Sequence, residues 1–160
     1  MQELAFAGSD QGRNAKNPGE KLVKWYETDL EIRYADTDQM GVVHHGVYPI
    51  YCEISRTHIC AELGLPYHRM EAAGYWMMVV DMYCRYKAPA RYGDPIYARG
   101  AVARLTKKLI EFHYEIRQRG TEKLLYTGYS KHLVTDRQAR PTSMPAEFLE
   151  ILGRALDHGV

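Results

Sequence analysis

The sequence predicts an α+β domain in which an antiparallel sheet of about five strands wraps around one long helix, with a short helix closing the chain. Three observations lead there. Apolar and polar residues alternate from Trp25 to Tyr34 and from Leu109 to Arg119, the period of a half-buried strand, and three further stretches read as strands beside them. Only one long stretch, from Val47 to Leu63, carries helical spacing. The connections between the last four strands are short, so those strands run antiparallel.

The 160 residues suit a single domain. Residues 1–21, rich in Gly, Asn, Gln, Lys and Ser, lack a sustained apolar period and read as a mobile tail ahead of a domain at 22–160. From Trp25 to Tyr34 the chain alternates, with Tyr26, Thr28, Leu30, Ile32 and Tyr34 on one side. A loop follows from Ala35 to Gly46. The long helix then shows Val47, Ile50, Tyr51, Ile54, His58 and Ala61 at helical spacing, with Glu53, Arg56 and Glu62 on other faces. Pro49 suits its first turn and Gly64 its stop.

Strands resume after Gly74. Trp76, Met78, Val80, Met82, Cys84 and Tyr86 read as one uninterrupted apolar face. Ile96–Leu105, Leu109–Arg119 and Leu124–Val134 follow, and the third of these five strands leads into the fourth through the basic turn Arg104-Leu105-Thr106-Lys107-Lys108. The final helix has Pro145 in its first turn and Phe148, Ile151, Leu152 and Leu156 as its stripe. The long helix has one place to bury its stripe, across the concave face of the sheet. That is the hotdog arrangement. Five strands leave two edges that need cover, which a homodimer or homotetramer would supply by joining sheets edge to edge.

Composition removes several function classes. Hydrophobic residues make up 46% and charged residues 26%, with a formal net charge of +1, which argues against nucleic-acid binding. The three cysteines, Cys52, Cys60 and Cys84, form no C-x-x-C pair and read as free buried thiols of a reducing compartment. No signal-like leader and no membrane-length apolar run is visible, so a cytoplasmic location is expected. His44 and His45 are adjacent, not spaced as helix ligands, and no metal is expected. Ser130 in G-Y-S-K-H lacks the second glycine of a nucleophile elbow. Cys52, inside the helix, reads as a packed thiol.

Chemistry concentrates in Asp36-Thr37-Asp38-Gln39-Met40-Gly41-Val42-Val43-His44-His45-Gly46, which leads into the helix start. The first turn of a helix has N–H groups without partners and carries the positive end of the dipole. No Ser, Thr, Asp or Asn lies between His44 and Ile50 to cap it. Such donors suit an acyl oxyanion, and a nearby carboxylate suits a nucleophile or general base. The same aspartates also suit Asx turns, and spacing alone favours that plainer role.

The segment from Arg33 to Arg56, R-Y-A-D-T-D-Q-M-G-V-V-H-H-G-V-Y-P-I-Y-C-E-I-S-R, resembles the signature of the 4-hydroxybenzoyl-CoA thioesterase family. It is most similar to the branch of short acyl-CoA thioesterases associated with the Tol-Pal cluster. Tyr86 to Pro95, Y-K-A-P-A-R-Y-G-D-P, resembles the same family's strand-to-strand segment, and the likeness runs over about residues 25–152. The resemblance implies a hotdog acyl-CoA thioesterase needing no cofactor, coenzyme A being part of the substrate. It implies Asp38 as the catalytic carboxylate and the His45 amide at the oxyanion position, with a side-chain role for His45 as well. It also implies that Lys107 and Lys108 hold the coenzyme A phosphates, against the usual fate of a hairpin tip as a solvated turn. Tyr48, with Tyr34 or Tyr51, is a candidate lining of the acyl pocket. Two positions depart from the branch: His44 stands where Tyr is common, and Gly46-Val47 replaces a small residue followed by a polar one. Two rival functions remain. A hotdog hydratase or dehydratase would use a His with a carboxylate at the acyl chain, and crotonyl-CoA would expose it. A non-catalytic acyl-CoA binding module would need no carboxylate beside an electrophile.

Overall fold

The computed structural model describes residues 24–156, so the expected tail at 1–21 lies outside the described residues. The elements in chain order are β1 (Tyr26–Leu30), α1 (Tyr48–Glu62), α2 (Tyr67–Ala72), β2 (Trp76–Tyr86), β3 (Ile96–Leu105), β4 (Leu109–Gln118), β5 (Leu124–Thr135) and α3 (Ala146–Gly153). Two short 3-10 turns, Tyr34–Asp36 and His45–Val47, bracket the loop ahead of α1. The sheet order is β1-β3-β4-β5-β2, with every neighbouring pair antiparallel. The expected five-stranded sheet around one long helix is present.

β4 follows the period-two reading closely. Ile110, Phe112, Tyr114 and Ile116 are buried against the helix layer. Crossing helix α1 needs close approach at β3, where a Cβ on Gly100 would overlap Ser55 Oγ and Ile59 Cδ1. Phe148, Ile151 and Leu152 of α3 are buried as expected, with Pro145 at the N-cap.

Three expectations are corrected. First, β1 ends at Leu30, and Tyr34 is exposed. Asp36 accepts the Arg33 backbone N–H at 2.9 Å and folds the chain into a turn before the strand reaches Tyr34. Second, the buried face of α1 is Tyr48, Tyr51, Cys52, Ser55, Arg56, Ile59 and Cys60, while Ile50 and Ile54 are 47% and 41% exposed. The helix carries two apolar stripes, and the buried one is disguised by Ser55 and Arg56. The Arg56 guanidinium donates to Glu53 at 3.0 Å and sits near the Tyr67 and Tyr114 phenols, which offsets part of the cost of its burial, while its Nε stays without a partner among the described residues. Third, β2 does not keep one apolar face. A bulge between Val79 and Asp81 changes the parity, so Met77 lies inward on one side of it and Met82 and Cys84 on the other. Trp76, Met78 and Val80 are left exposed on an edge strand.

Helix α2 was not expected. Six residues starting after Pro66 are too few for a periodic signal. Among the described residues no helix is long and apolar enough to cross a membrane.

Candidate active site

Asp36 and Asp38 look alike in sequence and differ entirely in surroundings. The Asp36 side chain is buried and accepts from Arg33 Nη2 at 2.6 Å, Arg33 Nε at 3.0 Å and the Tyr51 hydroxyl at 3.2 Å. The Arg33 hydrogen bond holds its carboxyl below the usual carboxylate range. Its backbone oxygen accepts the His44 N–H at 2.8 Å. Asp36 therefore bolts the loop to β1 and α1, and has no oxygen to spare for chemistry.

Asp38 sits on the rim of the same loop. Its backbone N–H donates to Val42 O, and Gly41 N–H returns to Asp38 O, both at 2.9 Å. Gly41, at φ 72°, supplies the left-handed residue this tight reversal needs. The Met40 N–H donates to Asp38 Oδ1 at 2.8 Å, an Asx turn. Both sequence-level roles for this residue thus coexist: one oxygen organises the turn, and among the described residues nothing engages the other.

Asp38, His45 and Tyr48 line one cavity of about 340 Å³ with Met40, Val42, Val43, Tyr86, Lys87, Ala88 and Pro89. Val43 ties the two walls together by donating to Ala90 O at 2.9 Å. Tyr48 is buried, stacks on Tyr126 with centroids 5.1 Å apart, and meets Tyr86 edge-on at 5.3 Å. Burial raises the Tyr48 and Tyr86 phenols above their ordinary value, so both stay protonated at neutral pH. Tyr51 faces Asp36 instead, and Tyr34 is exposed against Tyr92, so neither lines this cavity.

α1 itself starts without a side-chain cap, as expected, and the 3-10 turn ahead of it is capped instead. The His44 ring accepts the Gly46 N–H through Nδ1 at 3.1 Å, a capping contact that residue type alone did not suggest. The His45 N–H, one residue earlier, meets no backbone acceptor among the described residues. The Tyr86 hydroxyl donates to His45 O at 3.0 Å and ties β2 to this turn.

Lys107 and Lys108 are not brought to the cavity within one chain. Their hairpin packs beside the end of β5, where Val134 N–H donates to Lys108 O at 2.9 Å. Val134 is opposite Met77, near the start of β2, whereas the cavity lies at the Tyr86 end. An eleven-residue strand separates the two ends, a length of about 33 Å at the usual rise per residue. Residue reasoning also missed Tyr86 and Lys87 as lining residues. The Y-K-A-P motif held the signal, but only as a connecting segment.

Sequence and structure comparisons speak to the family and the fold. The profile of the thioesterase-like superfamily matches residues 32–152, and the chain belongs to that superfamily. A Bacillus subtilis protein named provisionally as acyl-CoA thioesterase YneP is 44% identical over 66 residues, 41% of this chain; the match spans about half, 48%, of that relative. A 1,4-dihydroxy-2-naphthoyl-CoA hydrolase of Synechococcus is 25% identical over 122 residues, covering 72% of this chain and 80% of the relative. A hypothetical protein of Thermus thermophilus superposes with a TM-score of 0.76 at 37% identity, over 81% of this chain and 98% of its own. A DHNA-CoA thioesterase of Staphylococcus aureus gives 0.77 at 26% identity, over 81% and 89%. The enzyme class expected from the sequence, a thioester hydrolase, is the class of these named relatives.

Proposed function

We propose that this protein hydrolyses acyl-CoA thioesters, with Asp38 as the catalytic carboxylate and the His45 amide as oxyanion donor. Within the superfamily, the Arg33–Arg56 motif supports kinship with the 4-hydroxybenzoyl-CoA thioesterase family and its Tol-Pal-associated branch. The observation that carries the reading is the shared cavity: Asp38, whose carboxylate keeps one unengaged oxygen, and His45, whose peptide N–H meets no acceptor among the described residues, line the same walls. A thioester carbonyl directed at that N–H becomes more electrophilic. In one route an Asp38 oxygen bonds to the carbonyl carbon, the oxyanion collapses and CoA leaves as thiolate, and water cleaves the resulting anhydride to the free acid. In the other, Asp38 takes a proton from water as the water oxygen attacks, and the oxyanion then collapses to break the C–S bond as Asp38 hands that proton to the departing CoA sulfur. Both regenerate the carboxylate, and neither needs a cofactor.

The acyl group would lie against Tyr48, Tyr86 and the aliphatic wall of Val42, Val43 and Pro89. The long edge strand β2, with Trp76, Met78, Val79, Val80, Tyr83 and Tyr86 exposed, supports a homodimer or a homotetramer built from such dimers. A two-fold antiparallel pairing of β2 with its copy brings the Trp76 end of one subunit beside the Tyr86 end of the other. The lysine hairpin of one subunit then serves the cavity of its partner, where Lys107 and Lys108 would meet the phosphates of coenzyme A.

Thiol release from a panel of short, long and aromatic acyl-CoAs tests the activity, with Asp38→Asn as the decisive variant. Asn keeps an oxygen for the Met40 N–H and so keeps the turn, but it can neither attack nor deprotonate. Its kcat should drop by at least about a hundredfold with the melting temperature unchanged. Turnover equal to that of the natural protein would remove Asp38 from the reaction.

A further inference from the structure

We propose that Tyr86 and His44 are positioning residues that lock the His45 turn and thereby aim its one free N–H into the cavity; the inference rests on the thioesterase reading above. Two consecutive peptide units make the case. The first joins His44 to His45 and carries the His44 carbonyl and the His45 N–H. Its carbonyl accepts the Val47 N–H at 2.9 Å, inside the turn. In a planar trans peptide the N–H points opposite to the carbonyl, so the His45 N–H is directed away from the helix. The second unit joins His45 to Gly46. Its oxygen accepts the Tyr86 hydroxyl at 3.0 Å, and its N–H donates to His44 Nδ1 at 3.1 Å.

Three of the four polar groups on these two peptides are therefore held, and the fourth is the donor the reaction needs. The two side-chain clamps act on one plane from opposite ends. The Tyr86 hydroxyl reaches it from the edge strand β2, 41 residues along the chain. Without both, the plane can rotate about its flanking bonds, and Gly46 becomes a second, competing donor. The ring of His44 lies 4.0 Å from that of His45, so this clamp also fixes where the second imidazole stands. His44 accepts only while Nδ1 carries no proton.

Packing is the competing account for Tyr86, since its ring also abuts Tyr48 and Tyr126. Tyr86→Phe separates the two, because it keeps the ring and removes only the hydroxyl. Its kcat should fall about tenfold with KM within about twofold, a fraction of the loss from deleting a whole oxyanion donor. His44→Ala should do the same. His44→Asn should restore kcat to within about threefold, since Asn is among the best N-capping acceptors. The double variant Tyr86→Phe with His44→Ala should be no more than about twice as impaired as the worse single one, because both clamps hold the same peptide.

Wild-type kcat in Tyr86→Phe, no rescue by Asn, or a double loss equal to the product of the singles would each overturn the proposal. Asp38→Asn run in parallel keeps the two failures apart. An inactive Asp38→Asn beside a fully active Tyr86→Phe defeats the positioning role alone. An active Asp38→Asn defeats the thioesterase reading and the inference with it.

Discussion

His132 on β5 has no exposed surface, and its Nε2 lies 2.7 Å from Ser130 Oγ, which in turn is 2.6 Å from the Tyr114 hydroxyl. Burial, and then the charge on Arg56, lower this imidazole from 6.5 to about 4. The unfolded chain takes up the proton as pH drops through 6.5, while the native chain resists until about 4. Stability from this group is therefore complete above the unfolded value and is lost across that interval, by about 3 kcal/mol at its lower end. Urea titrations over the interval should reveal the loss, and His132→Gln should flatten it. A parallel decline in both proteins would contradict the assignment. Asp36 cannot mimic the effect, because its carboxyl is held below the ordinary carboxylate range and its contribution fades only at lower pH. Residue type alone could not have separated Asp36 from Asp38. What separates them is Arg33, three positions upstream, which engages one and leaves the other at the rim.

Elements were legible where one face is buried and the ladder is regular. The β4 strand meets that condition over most of its length and its alternation reads through directly, whereas β3 is buried on both faces over Ile96–Ala98 and Gly100–Val102 and carries a bulge between Val102 and Arg104. The face of α1 was not legible, because its buried stripe includes Ser55 and Arg56 while the exposed one displays Ile50 and Ile54. Periodicity weighs residue type and knows nothing of Glu53, Tyr67 and Tyr114, which make a buried guanidinium tolerable. On β2 the alternation held on one side of the bulge and inverted on the other, since a single extra residue exchanges the two faces. The site loop was legible as a chemical motif but not as a geometry. The Tyr86 contact to His45 joins segments that no local pattern connects.

Taken as a whole, the molecule keeps its cavity and its lysine hairpin at opposite ends of β2. A dimer through that edge turns the separation into complementarity between subunits, and mixing two defective proteins tests it. Asp38→Asn retains its lysines, and Lys107→Ala with Lys108→Ala retains its carboxylate. If the lysines act on the partner's cavity, mixed dimers contain one fully equipped site, and activity at low substrate should rise above that of either parent. No rise on verified subunit exchange would confine the lysines to their own chain or to no role in binding. The central claim is narrower, that the thioester carbonyl meets the His45 amide beside Asp38. Its most direct test is the amide NMR spectrum of Asp38→Asn titrated with a slowly turned-over acyl-CoA. The His45 N–H proton should move downfield as the carbonyl accepts from it. A His45 resonance that stays fixed while neighbouring Val43 responds to binding would contradict the account.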